Sequence, residues 1–82
     1  MSWLVYIVLC KDDTLYTGIT NDIENRLKKH NNGTGAKYTR GRGPVKLVYS
    51  SEMDDKSSAL KEEYRIKKLS RMAKYLLVGE IN

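Results

Sequence analysis

Four side-chain types in this chain stand where they could handle a phosphate. Ile23, Arg26, Leu27 and His30 follow one another at i, i+3, i+4 and i+7, so on a helix they share one face. Ile23 and Leu27 must point at a core, which carries Arg26 and His30 to the edge of that core. A guanidinium and an imidazole one turn apart, close behind the strand-borne Tyr16, form a candidate phosphate site. The fourth type is a carboxylate further along. Lys61, Arg65 and Lys68 group on one side of a later helix, and Glu63 lies nearly opposite them, between Ala59 and Ile66. An inward carboxylate needs a cation. That cation is either Arg26 or a lysine in a salt bridge, or a divalent metal completed by water and phosphate oxygens.

The elements that must hold these residues follow from the pattern around them. Leu4 to Leu9 is β-branched and apolar on both faces, as in a central strand covered on two sides. Lys11 to Thr14 is a short polar turn, and Leu15 to Thr20 returns as a second strand, with Gly18 as a turning point. The first helix is entered through Asn21, with Glu24 as its capping-box partner, and runs to about His30. Asn31-Asn32-Gly33 supplies a left-handed stop. A long loop, Thr34 to Pro44, follows, with a helical turn expected around Ala36 to Thr39. Val45 to Ser50 gives a third strand. Asp54 or Asp55 opens a helix over Lys56 to Leu69, and Ser70 caps a last one, Arg71 to Val78, which ends at Gly79. The order ββαβαα predicts an α+β fold, a three-stranded antiparallel sheet flanked by helices, with the first strand in the middle.

Composition narrows the setting. Eighty-two residues are expected to form a single domain, 1–82, with a limited core. The single Cys10 cannot form an intramolecular bridge, which suits a reducing cytoplasm. Trp3 to Cys10 is too short an apolar run to span a bilayer, and no basic segment precedes it, so neither signal peptide nor membrane anchor is expected. A net charge of +5 favours an anionic partner. Lys37, Tyr38, Arg40 and Arg42 combine cations, a base-stacking ring and neighbouring glycines that admit backbone to phosphate. The same loop can also be read as merely solvated. Lys61, Lys67, Lys68, Arg71 and Lys74 read as solvated helix faces, and Trp3 and Cys10 as core.

Taken singly, each candidate has a plain explanation: Tyr6 and Tyr16 as sheet packing, His30 as a cation at the helix's negative end, Arg26 as a salt-bridge donor. Together they carry a resemblance. Leu4-Val5-Tyr6, a spacer, Tyr16-Thr17-Gly18, then Arg26, His30 and Glu63 resemble, in order, the GIY-YIG nuclease superfamily. The small stand-alone bacterial members are the most similar, through Gly35 to Arg40 (GAKYTR). Leu4 and Thr17 depart from the two triplets at positions that bear no chemistry in the family. A late polar residue of the family has no clear match, and no separate recognition domain is expected.

The resemblance implies a metal-dependent endonuclease hydrolysing DNA phosphodiesters with little sequence readout, on branched or damaged DNA, with RNA as a further candidate. The implied catalytic set is Tyr6, Tyr16, Arg26 and His30, and the implied metal ligand is Glu63, holding one Mg2+ or Mn2+. No organic cofactor and no membrane partner is expected, and the protein is taken as a monomer. A tyrosine titrates near pH ~10, so it serves as a base only if cations lower that value. Tyr6 is favoured as base and Tyr16 as the orienting partner, with the roles exchangeable. His30 would relay the proton or bind phosphate, and Arg26 would hold non-bridging oxygens. The alternatives are a nucleic-acid-binding module of the same fold with weak or no cleavage, and a protein-interaction adaptor.

Overall fold

A computed structural model describes residues 2–33 and 41–79. Strand β1 (Trp3–Leu9) pairs antiparallel with β2 (Leu15–Thr20) on one side and with β3 (Lys46–Met53) on the other, giving the order β2-β1-β3. The most apolar strand is therefore central, as the sequence predicts. Its alternating residues feed two separate cores. Val5 and Ile7 pack with Ala59 and Ile66 of helix α2 (Lys56–Lys67), and with Leu77 and Val78 of helix α3 (Arg71–Val78). Tyr6 and Val8 face the other way, towards Ile23 and Leu27 of helix α1 (Ile23–Asn31). The period-2 alternation of one strand thus sorts α1 to one face of the sheet and α2 with α3 to the other.

Several boundaries move by a residue or more. The N-cap of α1 is Asp22 rather than Asn21. Its carboxylate accepts from Asn25 N at 3.2 Å, while its own N–H donates to Thr20 Oγ1 at 3.0 Å. Glu24 then sits one position too early for a capping box, although a carboxylate in the first turn still favours the helix dipole. Gly33 adopts the expected left-handed conformation, φ 78°. Helix α2 stops at Lys67, not Leu69, because Ser70 takes extended backbone and caps α3 by accepting from Ala73 N at 3.1 Å. Strand β3 runs on to Met53 because Ser51, Glu52 and Met53 pair with Val5, Leu4 and Trp3. Pairing with β1 keeps these mainly polar residues in the strand.

Cys10 is buried as expected, and burial pushes its thiol pKa up. Trp3 is only half-buried, with Lys56 Nζ 5.3 Å from its ring centre. The turn predicted around Ala36 to Thr39, and Lys37, Tyr38 and Arg40, lie outside the described residues. No helix among the described residues is long and apolar enough to cross a membrane.

Candidate active site

Tyr6 and His30 are fully buried and meet head to head. Tyr6 Oη lies 2.8 Å from His30 Nε2, and Arg26 Nε donates to the same oxygen at 3.3 Å. Two predicted residues of one helix therefore converge on the phenol of a third, carried by the central strand. Tyr16 closes the group. Its ring centre is 6.4 Å from that of Tyr6 and 5.4 Å from that of His30, and its hydroxyl group also interacts with Arg26. Arg26 is half-buried, as expected of a residue at the edge of the core. His30 is not at the edge: the Tyr6 hydroxyl gives it a partner, and that makes full burial tolerable.

The close approach depends on Gly18. It does not turn the chain, as the sequence reading has it, but continues β2 directly opposite Tyr6. A Cβ there would lie 2.7 Å from the Tyr6 hydroxyl oxygen and 3.1 Å from Cε2 of Tyr16. Tyr6 is held by both His30 and Arg26 and has little room to give way. The signal was legible as a glycine inside a strand pattern, which often marks close approach by another group.

Burial pushes the Tyr6 phenol above its ordinary pKa and outweighs the hydrogen bond and charge of Arg26, while Tyr16 and Glu63 push it further up. The cations do not make it a ready phenolate. Burial, reinforced by the Arg26 charge, holds the His30 pKa below the ordinary imidazole range. His30 is therefore neutral at pH 7 and is not a cation serving the helix dipole. The Tyr6 hydrogen bond raises the Arg26 pKa further. With both groups neutral, one proton lies in the Tyr6–His30 hydrogen bond, and the phenol oxygen also accepts from Arg26 Nε.

This state has a consequence for stability. The unfolded chain protonates its histidine near pH ~6.5, before the folded protein does, so His30 contributes stability in full above that value. The contribution drains away as pH falls through the window below it, at ~1.4 kcal/mol for each unit of pKa depression. Asp12, Asp55 and Glu62, also depressed, lose their contributions only below about pH 4. Urea unfolding between pH 7.5 and 5 should show stability falling with pH, and His30→Gln should remove that slope. A flat wild-type profile over that window would contradict the neutral buried imidazole.

Glu63, on α2, lies near enough for its charge to act on the Tyr6 phenol. Its side chain is 18% exposed, and its Oε2 lies 3.1 Å from Lys67 Nζ. Of the two salt-bridge partners proposed from sequence, Arg26 or a lysine, the lysine takes it. Lys67 is thereby not simply a solvated residue: its ammonium also sits 6.0 Å from the Tyr16 ring centre. The signal was the i+4 spacing from Glu63. No group of three or more metal-ligating side chains occurs among the described residues. A lone carboxylate that already holds a cation fits a hard divalent ion whose remaining ligands are water and phosphate oxygens.

Arg42 has a different setting. Its Nε pairs with Asp12 Oδ2 at 3.0 Å on the surface, and its carbonyl accepts from Lys11 N. Beside it, a depression of about 250 Å³ is lined by His30, Asn31, Asn32, Gly33, Gly41 and Gly43.

Comparison with known proteins gives a consistent result. The family model described as the GIY-YIG catalytic domain matches residues 2–76. A UPF0213 protein of Clostridium perfringens is 61% identical over 75 residues, 92% of this chain and 81% of its own length. One from Staphylococcus saprophyticus is 59% identical over 93% of each chain. The solution NMR structure of a Bacillus halodurans UPF0213 protein is similar with a TM-score of 0.62 at 51% identity, covering 95% of this chain and 83% of that one.

Proposed function

The chain belongs to the GIY-YIG nuclease family, and from that premise we propose that it is a metal-dependent endonuclease that hydrolyses DNA phosphodiester bonds with little sequence readout. The observation that carries the proposal is the buried Tyr6–His30 contact with Arg26 on the same oxygen. Sheet packing alone would not require three polar groups to meet in a core. The DNA substrates proposed are branched or damaged structures, and the protein is taken to act as a monomeric single domain.

On this reading Arg26 uses its remaining guanidinium N–H groups to hold non-bridging phosphate oxygens. A water in line with the phosphorus gives its proton to the Tyr6 oxygen as its O–P bond forms. The phenolic proton of Tyr6 moves in turn to His30 Nε2, which is neutral and hydrogen-bonded at 2.8 Å. His30 is thus what allows a phenol with a raised pKa to act as a base near neutral pH. Arg26 stabilises negative charge on that oxygen during the transfer. Tyr16 orients the water or phosphate. Glu63 would hold one Mg2+ or Mn2+, which supplies Lewis-acid polarisation and charge for the leaving oxygen. The proposed backbone contacts are Lys37, Tyr38, Arg40 and Arg42. Arg42 would exchange its surface Asp12 partner for phosphate at small cost, since such exposed pairs contribute little.

The test is supercoiled plasmid and branched duplex with Mg2+ or Mn2+, against EDTA. Nicking that requires the metal, with DNA affinity falling steeply as salt is added, is the expected result. Salt-dependent binding with no cleavage under any of these conditions would leave only the binding module. Absence of binding at low salt would remove both readings.

A further inference from the structure

We propose that Lys67 is a working residue of the site: Glu63 holds its ammonium in the nucleic-acid-free protein, and it transfers to a substrate phosphate when a divalent cation takes the carboxylate. The proposal rests on the assignment of Glu63 as metal ligand and adds a residue to it.

Three observations place Lys67 in this role. Its Nζ is 3.1 Å from Glu63 Oε2, so it occupies the position a cation bound to that carboxylate would need. Its Nζ also lies 6.0 Å from the centre of the Tyr16 ring, which puts the ammonium beside a residue of the site. The two cations nearest to it in the sequence are engaged elsewhere: Arg65 forms a bidentate pair with Glu62, and Lys68 lies over the Tyr64 ring at 4.3 Å.

The pair is built to exchange. Half of the Lys67 side chain is exposed, and a glutamate–lysine pair one turn apart on a helix is weak. An ammonium and a divalent ion repel at the distance of a shared carboxylate, so binding of one disfavours the other. The four-carbon stem lets the displaced ammonium swing without moving the helix. Phosphate brought in by the substrate is then the anion that can receive it. Metal loading and nucleic-acid binding become mutually reinforcing, because each relieves a cost the other faces.

The experiment uses the 15N-labelled full chain without DNA, titrated with Mn2+, reading paramagnetic broadening of amides near Glu63. Lys67→Met should tighten that binding by at least about fivefold, since it removes both the competitor and the repulsion. Affinity for a short duplex is then measured with Ca2+ and with EDTA. Lys67→Met should weaken binding by about threefold or more with Ca2+, the loss of one phosphate contact, and by less with EDTA, where Lys67 is held by Glu63. Mn2+ binding that Glu63→Gln removes but Lys67→Met leaves unchanged overturns this proposal alone. So does an equal loss of duplex affinity with and without Ca2+. Broadening that Glu63→Gln does not alter overturns the metal-ligand assignment and this proposal with it.

Discussion

Glu63→Gln is expected to abolish plasmid nicking while leaving a folded protein that still binds DNA. The substitution keeps the shape of the side chain and removes its charge, so what is lost is the anchor proposed for the divalent ion. Losing the Lewis acid should lower the rate by at least ~10³-fold, corresponding to several kcal/mol of transition-state charge stabilisation. The effect on stability should be small. Removing one partner of a buried ion pair would cost ~3–5 kcal/mol. The partner here is the half-exposed Lys67, which returns to water, so the expected loss is ~1 kcal/mol or less. Thermal melting, duplex binding and nicking rates on the same preparation separate these outcomes. A stable variant that nicks at the wild-type rate would sink the assignment of Glu63 as metal ligand.

Tyr6→Phe should damage both chemistry and stability. From sequence alone the change looks nearly free, one hydroxyl removed from a packed ring. In the structure that hydroxyl lies between His30 Nε2 at 2.8 Å and Arg26 Nε at 3.3 Å. Its removal leaves the buried His30 nitrogen without that partner, at a cost of ~1–3 kcal/mol. Loss of the proposed base should lower the nicking rate by ~10²–10⁴-fold. Tyr16→Phe is the control, since Tyr16 is only half-buried. Its fold should be the less affected of the two. Nicking that survives Tyr6→Phe unchanged would take the base role away from Tyr6.

Much of the fold was legible because each cue was local. The apolar run of β1, the polar turn after it, Gly33, Ser70 and Gly79 act on their own neighbours through backbone geometry and capping. Placing the α1 cap at Asn21 failed by one residue because Asn21 and Asp22 are both competent N-caps. Thr20 Oγ1, accepting from Asp22 N, is part of what selects Asp22. The length of β3 was likewise not written in its own composition. Ser51 and Glu52 are strand residues because β1 offers them partners.

For the candidate site, helical spacing put Arg26 and His30 on one face and Glu63 opposite a cationic stripe, and the residue order carried the family resemblance. Those are one-dimensional facts, and the sequence by itself determined them. Only the tertiary structure decided the electrostatics. How far Tyr6 and His30 are buried depends on the packing of α1 against the sheet. That burial raises the pKa of the phenol and keeps the imidazole neutral, so the hydrogen bond between them joins two uncharged groups. Which cation accompanies Glu63 was open between Arg26 and a lysine for the same reason. Spacing says what each residue can reach, whereas desolvation and the competing partners brought in by the fold select among those contacts.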